Sequence, residues 1–247
     1  MNQIKQWMTI FLYLIIISSI SANNKTDFTY IGNWPYNAYK DTIANPGFGE
    51  CPKAMGCECN QDNDCPDNAS CKELMRGDYC VPNIGAKIPR FQAIDQFGEV
   101  FDLYDLAYQD KPILIEISVP KPRSCNVLSA WRSYVHEDIK KEKWWRDKFN
   151  IARDILDNDG VFWVQIMHLD EKKNPITPNT ISQWVDKYPH DNIITLADPD
   201  AKMKNWVRPT GYPCVILLDQ NMKVIVHSFR GMEEAFDGLL KYYDIEY

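Results

Sequence analysis

Cysteine density is the feature that most restricts how this chain can fold. Six of the eight cysteines in the 247-residue chain fall within residues 51–80, in the pattern C-x5-C-x-C-x5-C-x5-C-x8-C. A segment of this length buries too little apolar surface to fold unaided, so cross-links have to stabilise it. The six residues are Cys51, Cys57, Cys59, Cys65, Cys71 and Cys80.

Three internal disulfides are the predicted cross-links. An even, dense cysteine set in an exported chain is typical of a disulfide framework, and spacing alone leaves the connectivity open. A zinc site made only of cysteines would need reduced thiols, which export disfavours. The acids in NQDNDCPDN lack the Gly and the final Glu of an EF-hand loop. They are interpreted as solvated turn residues, and no metal site is predicted.

The amino terminus indicates export. Lys5 is the only charge before Lys25, an apolar run covers residues 7–20, and small residues follow it. This pattern predicts a signal peptide over residues 1–22. The run is short for a membrane span, and an uncleaved anchor is the alternative. We therefore expect an exported protein, in a bacterial periplasm, at a cell surface or in a secretory pathway, that meets a membrane only if this segment is uncleaved.

Composition narrows the choice of partners and cofactors. The chain is 45% hydrophobic and 25% charged, as in globular proteins, and its formal net charge of −7 disfavours attraction to nucleic acid or to anionic membranes. Its four histidines, His136, His168, His190 and His227, show no metal-ligand spacing and are interpreted as scattered surface or edge residues. No cofactor is predicted.

Residues 84–247 alternate between strand-like and helix-like runs. FQAIDQFGEVFDL predicts a hairpin, whereas ILIEIS, VFWVQIMHL, CVILLD and KVIVHSF predict strands. Apolar residues at helical spacing follow Cys125, recur over residues 145–156 and end the chain, and Thr177-Pro178 is typical of a helix start. The predicted fold class is α/β, with a mixed sheet flanked by helices.

The stretch ahead of this domain divides in two. Residues 23–50 are rich in Asn, Pro, Gly and Tyr without periodicity, which is typical of a linker or a surface arm. The disulfide-rich segment then covers residues 51–83.

Three stretches of residues 84–247 resemble the thioredoxin-fold redoxins, the group spanning TlpA-like exported reductases and the alkyl hydroperoxide reductase/thiol-specific antioxidant family. They are the lead-in GAKIPRFQAIDQFGEVFDLYDL, the strand and turn ILIEISVPKPRSC, and LADPDAKMKNWVRPTGYPCVILLD. The resemblance implies a thioredoxin fold, preceded here by the small disulfide-rich segment.

The resemblance also implies roles for Pro213 and Glu116. Pro213 lies where the family has a cis-proline that faces the active site. Glu116 lies six residues before Pro122, as does the buried acid of thioredoxins before their first Cys, and such an acid exchanges a proton with the second thiol. The alternative is a structural Glu satisfied by Lys or Arg, because a buried acid is costly unless it is paired or protonated.

Cys125 is similar to the second Cys of the family's C-x-x-C motif, but Pro122 holds the first position and cannot be a nucleophile. Exchange at that motif needs one thiolate to attack and another to release the mixed disulfide. The T-x-x-C pattern of peroxiredoxins fails at the same residue. A helix N-terminus and Arg123 would lower the pKa of a reactive Cys125, and a buried inert thiol is the alternative.

Cys214 follows Pro213 directly, where the family usually has Thr or another residue. Cys125 and Cys214 are the only cysteines outside residues 51–80. A disulfide between them would be either a relocated redox pair or a structural cross-link. The alternative is that no bridge forms, because closeness alone does not supply disulfide geometry.

Two functions follow from these residues. The first is an exported thiol-disulfide oxidoreductase or antioxidant-like protein, with a one-cysteine variant of the site formed by Cys125, Cys214, Glu116 and Pro213. The second is a non-catalytic thioredoxin-fold module that binds another protein. The retained site residues favour the first function and the missing C-x-x-C motif favours the second. The sequence therefore does not decide whether the chain is an enzyme; if it is active, it is a thiol-disulfide oxidoreductase or a weak peroxidase. The expected partners are exported proteins that contain thiols or disulfides.

Overall fold

The computed structural model of this chain describes residues 28–246. The predicted signal peptide, residues 1–22, lies outside the described residues. Within residues 28–246, none of the helices combines the length and the apolarity that a membrane crossing requires.

The described residues form a two-stranded hairpin and a seven-stranded sheet with helices on both faces. The strands are β1 (Ala69–Leu74), β2 (Gly77–Pro82), β3 (Gln92–Asp95), β4 (Val100–Asp102), β5 (Ile113–Ser118), β6 (Phe162–Met167), β7 (Ile193–Ala197), β8 (Cys214–Leu218) and β9 (Val224–His227). The helices are α1 (Arg123–Arg132), α2 (Asn150–Asp157), α3 (Pro178–Lys187), α4 (Lys202–Val207) and α5 (Glu233–Tyr242).

The large sheet has the strand order β4-β3-β7-β6-β5-β8-β9. β5, β6 and β7 run parallel, whereas β3, β4, β8 and β9 join by antiparallel pairs. All six residues of β5 are buried, because helices cover one sheet face and the amino-terminal arm with α4 covers the other. This α/β arrangement is the thioredoxin-like fold, and the predicted fold class is confirmed.

Local predictions succeeded where one signal was strong. The hairpin of β3 and β4 turns at residues 96–98, as predicted. Thr177 caps α3 by accepting a hydrogen bond from the Thr180 amide at 3.2 Å, and Pro178 is the first residue of that helix. β7 and the short α4 were missed, and the regular helix within residues 145–156 begins only at Asn150.

The cysteine-rich segment is joined by three disulfides, and the prediction of a disulfide-rich segment is confirmed. The pairs are Cys51–Cys57, Cys59–Cys71 and Cys65–Cys80. Cys71 and Cys80 lie opposite each other in the β1–β2 hairpin, so two of the bridges anchor that hairpin to the preceding loop.

The acids of this segment stabilise its turns. Asp64 accepts hydrogen bonds from the amides of Asn60 and Gln61 at 2.8 and 3.2 Å, and Asp62 accepts one from the Cys71 amide at 2.8 Å. These contacts agree with the interpretation of the acids as turn residues.

A close backbone contact docks the segment on the end of α4. Gly56 has a φ of +79°, and a Cβ at this residue would lie 2.0 Å from the carbonyl oxygen of Asn205. The Arg208 guanidinium donates hydrogen bonds to the Gly56 carbonyl and lies 4.1 Å from the centre of the Tyr79 ring. Glycine is therefore required at residue 56 by both conformation and space.

Residues 28–50 form an arm that packs against the domain. Tyr30 and Trp34 are buried in the core, where the Tyr30 hydroxyl donates to Asp105 at 2.6 Å and the Trp34 indole donates to Asp95 at 3.2 Å. Lys40 adds an ion pair with Asp105 at 2.7 Å. The described part of the predicted linker or surface arm thus contributes side chains to the core.

Candidate functional site at the amino end of helix α1

The turn after β5 and the loop before β8 meet at the amino end of α1. The Tyr212–Pro213 peptide bond is cis, as the resemblance implied. The Ser124 hydroxyl donates a hydrogen bond to the Tyr212 carbonyl at 2.7 Å, which ties the first turn of α1 to this loop. Cys125, next in the chain, therefore lies in the first turn of α1, beside the loop that carries the cis-proline.

The Cys125 side chain is sealed from solvent. Its exposed fraction is 0%, and burial raises the pKa of its thiol to about 12. The Ser118 hydroxyl, the Val119 amide and the charge of Arg132 oppose this rise, and the charge of Glu116 adds to it. The thiol is therefore protonated at neutral pH, which leaves it a poor nucleophile.

Arg123 does not supply the positive charge expected beside this thiol. Its side chain is 67% exposed and pairs with Glu142 on the surface, with 2.9 Å between Nε and Oε1. The expectation that Arg123 activates Cys125 is therefore wrong for this structure.

Glu116 lies in a fully buried polar network. It forms an ion pair with Arg132, and it accepts hydrogen bonds from the Trp163 indole at 3.0 Å and from the Gln165 amide at 3.1 Å. Arg132 donates a further bond to the Gln165 side-chain oxygen at 2.7 Å. Of the two alternatives for Glu116, the geometry is that of an acid satisfied by an arginine, as buried charges require.

Cys214 is the other free cysteine in the described chain, and it does not bond to Cys125. Its thiol is fully buried and donates to the Ser228 carbonyl at 2.9 Å, and burial raises its pKa. Cys214 pairs with Ile117 in the sheet and packs in the core layer on the face away from α1. The fold thus places the two thiols in different layers, and no bridge joins them.

A buried histidine beside the cis-proline was missed from the sequence. His168 follows β6 directly, is 4% exposed, and its Nε2 lies 3.1 Å from the Tyr212 hydroxyl. Burial, followed by the charge of Lys204, lowers its pKa to about 4. The interpretation of His168 as a surface residue is wrong, and its place at the carboxyl end of a parallel strand could have shown that it would lie near the site.

His227 ends the edge strand β9, which agrees with its interpretation as an edge residue. Its side chain is nevertheless 9% exposed, and burial lowers its pKa to about 4. Neither buried histidine belongs to a cluster of metal-binding side chains. Among the described residues, the one group with suitable geometry is Cys59, Cys65 and Cys80, whose thiols are used in disulfides.

Comparisons with known proteins give similarity at the level of solved structures only. No family model and no curated protein matches the chain. The thioredoxin domain of a Bacteroides vulgatus thiol-disulfide oxidoreductase is 17% identical, with a TM-score of 0.41 over 65% of this chain and 95% of that chain. The exposed lipoprotein thioredoxin of Streptococcus pneumoniae is 17% identical, with a TM-score of 0.42 over 63% of this chain and 98% of that chain.

A thiol peroxidase from Chromobacterium violaceum is also similar. It is 15% identical, with a TM-score of 0.45 over 72% of this chain and 98% of that chain. No residue role is transferred from these three structures, because their identities are too low to align single side chains.

Proposed function

We propose that this chain is a non-catalytic thioredoxin-fold module that binds another protein and no longer exchanges thiols at the amino end of α1. The observation that carries the proposal is the complete burial of Cys125, with its thiol pKa raised to about 12. Pro122, half-buried at the start of α1, occupies the position from which an attacking thiol would reach a substrate. The scaffold of a redox site is kept without a usable nucleophile.

A one-thiol oxidoreductase or antioxidant-like activity is the second candidate. The positive charge of Arg132 favours the charged form of Cys125, and a nearby positive charge stabilises a thiolate. In this candidate Cys125 attacks, while Glu116, Pro213 and Cys214 support the site. It requires opening of the helix end, because no external disulfide or peroxide reaches a fully buried sulfur.

Export is part of the proposal. Three disulfides within residues 51–80 support an oxidising compartment, since such bonds are rare where thiol reductants are abundant. The partner is then an exported protein that itself contains thiols or disulfides, and it meets the exposed turn at Lys121 and Arg123.

The rate of Cys125 alkylation as a function of pH separates the two candidates. In the native protein we expect no modification from pH 6 to pH 9, and rapid modification once the chain is unfolded in urea. Native alkylation with a midpoint at or below the ordinary thiol pKa of about 8.5 would support the one-thiol oxidoreductase and remove the basis of the binding proposal.

A gain-of-function variant tests the scaffold. Pro122→Cys restores the two-thiol spacing, and we expect it to reduce a disulfide-bonded protein such as insulin, which the natural chain leaves intact. Pro120→Cys is the matched control, because it adds a thiol to the same turn at the wrong spacing. Insulin reduction by the unaltered chain would contradict the binding module directly.

A further inference from the structure

A cleft of about 780 Å³ lies where the cysteine-rich segment meets the thioredoxin-like domain. Its volume is in the range of small-molecule sites. Aromatic side chains from three parts of the chain, Phe48, Phe91 and Trp206, contribute to its walls. This cleft is separate from the site around Cys125, because none of the residues of that site lines it.

The charged side chains that line this cleft are all positive: Arg90, Lys202 and Arg208. Arg90 is neutralised by ion pairs with Asp102 and Asp41 at 2.6 and 2.7 Å. The charges of Arg208 and Lys202 are not neutralised in this way. Arg208 donates to an uncharged carbonyl, and the contact of Lys202 with Asp200 is loose.

The surroundings are consistent with a locally positive surface on an acidic chain. The Lys202–Asp200 contact is 3.5 Å long, and both side chains are largely exposed. Two residues further along α4, the pKa of Lys204 is lowered by burial and then by the positive charges of Arg208 and Arg76. The nearest acids along the chain to the cleft's cysteines, Glu50 and Glu58, are exposed and do not line it.

The Cys51–Cys57 disulfide forms part of the cleft wall. Cys51 is exposed, whereas Cys57 is 2% exposed. The bridge spans a sequence separation of 6, against 12 and 15 for the other two. Because shorter loops give less cross-linking stabilisation, this bridge can open at the smallest cost to the fold.

The other two disulfides are placed differently. Cys59–Cys71 and Cys65–Cys80 fasten the β1–β2 hairpin, and Cys59 and Cys80 lie in the small core of the segment. None of their four cysteines lines the cleft. They therefore serve as internal references for any reaction at Cys51–Cys57.

We propose that Cys51–Cys57 is an exchangeable disulfide and that the basic cleft admits its reaction partner, a thiol that carries carboxylate groups. This activity goes beyond the proposed binding function and uses none of the residues at the amino end of α1. Sγ of Cys51 is the atom attacked, because residue Cys51 is exposed whereas residue Cys57 is 2% exposed.

The reaction is a two-step exchange. The thiolate of the ligand attacks Sγ of Cys51, a new disulfide forms, and the Cys51–Cys57 bond breaks with its electron pair on Cys57, which takes a proton from water. A second ligand thiolate attacks the ligand sulfur of the mixed disulfide and releases Cys51 as a thiolate. Two ligand thiols become one disulfide, and one protein disulfide becomes two thiols.

The positive charges of the cleft favour both partners of the first step. Lys202 and Arg208 raise the local concentration of an anionic thiol by electrostatic attraction. Positive charge near the bridge also stabilises the departing thiolate of Cys57. A disulfide that is merely exposed would lack this preference for anionic thiols.

The test measures the reduction rate of each disulfide in the intact, oxidised chain by quenched alkylation and peptide mapping. The probes are 3-mercaptopropionate, 2-mercaptoethanol and cysteamine, which are anionic, neutral and cationic thiols. Each rate is divided by that of the same thiol with an oxidised peptide of residues 50–58, which removes the intrinsic reactivity of the probe. We expect Cys51–Cys57 to be reduced before the other two disulfides. Its normalised reduction rate should be highest with the anionic thiol, lower with the neutral thiol and lowest with the cationic thiol.

A charge variant supplies the decisive comparison. Lys202→Gln removes the loosely paired cation of the cleft and should slow reduction by 3-mercaptopropionate roughly two- to fivefold at low salt, the effect of one unit charge at close range. The higher normalised rate of reduction by 3-mercaptopropionate should vanish in concentrated salt, where the screening length falls to about 3 Å. Lys72→Gln, an exposed change on β1 outside the cleft, is the matched control and should leave the rate unchanged.

Two outcomes would overturn the proposal. Reduction of either hairpin disulfide as fast as Cys51–Cys57 would show that the bridge is not distinct. Preferential opening of Cys51–Cys57 with equal normalised rates for the three thiols, or no effect of Lys202→Gln, would show an exposed bond without a site for anionic thiols. Neither outcome bears on Cys125, so the proposed binding function would stand or fall separately.

Discussion

The two cysteine-containing regions of this chain keep sulfur in opposite conditions. At the amino end of α1, Cys125 is reduced, buried and protonated, and the polar network of Glu116 and Arg132 lies in the same core. In the cysteine-rich segment every cysteine is oxidised, and one bridge opens onto a cleft. The comparison teaches that the less accessible sulfur lies in the region where the resemblance predicted a redox site.

The stability of the two regions also has different sources. The first is held by apolar burial and a satisfied ion pair, whereas the second is too small for a large core and is held by covalent bonds. Removing the buried ion pair should therefore destabilise the region around α1, and removing a disulfide should destabilise the cysteine-rich segment.

The largest effect is expected from Glu116→Gln, which leaves Arg132 buried without its counter-charge. Loss of one partner of a buried ion pair costs about 3–5 kcal/mol, to be measured as the free energy of unfolding in urea. Glu142→Gln removes the surface partner of Arg123 and is the control, with an expected cost of about 0–1 kcal/mol. Equal effects of the two variants would refute the structural role assigned to Glu116.

The second effect concerns the other region. Replacing Cys65 and Cys80 together by Ala opens the bridge of longest separation and should destabilise the hairpin by about 3 kcal/mol. Hydrogen exchange should accelerate in β1 and β2 and stay slow in β5 and β6. The double change of Cys51 and Cys57 to Ala should cost less, about 2 kcal/mol. Faster exchange throughout the large sheet would mean that the two regions are not independent.

A third prediction concerns alkaline pH. Because the folded chain raises the pKa of Cys125 from 9.0 to about 12, the neutral thiol stabilises the fold fully below pH 9, and this contribution is lost as the pH rises toward 12. The slope attributable to one group is at most about 1.4 kcal/mol per pH unit. Unfolding free energies of the wild type should fall more steeply above pH 9 than those of Cys125→Ala. Parallel curves would contradict the shift.

The last prediction concerns acid pH. The folded chain lowers the pKa of His168 from 6.5 to about 4, so the neutral ring stabilises the fold above pH 6.5 and this contribution is lost as the pH falls toward 4. The melting temperature of His168→Gln should decline less between these values than that of the wild type. His136→Asn, at an exposed residue, is the control and should follow the wild type.

Much of the fold was predictable because strong local signals agreed with it. β5 is a continuous apolar run broken by one acid, and Thr177 with Pro178 marked the start of α3 unambiguously. α4 was missed because it spans only six residues, and both flanking residues, Ala201 and Arg208, adopt left-handed conformations that give no capping signal.

The candidate site was less predictable because its properties arise from distant contacts. The sequence predicted the helix that begins near Cys125 and the cis bond before Pro213, but the exposure of a thiol depends on how loops pack around it. The pairing of Glu116 with Arg132 joins residues 16 apart, and local pattern did not select Arg132 among the available cations. The cleft at Cys51–Cys57 combines residues from the arm, the disulfide segment and α4, and no motif in the sequence records that meeting.

The contact of Gly56 with the end of α4 bears on how this architecture varies among relatives. A saturation scan should find residue 56 intolerant of every replacement, since even a methyl group would collide with the Asn205 carbonyl. The same scan should find that the exposed residue Lys53 tolerates most replacements. We therefore expect related chains that keep glycine at this residue to keep the disulfide segment docked on the thioredoxin-like domain, and chains that replace it to have lost this contact.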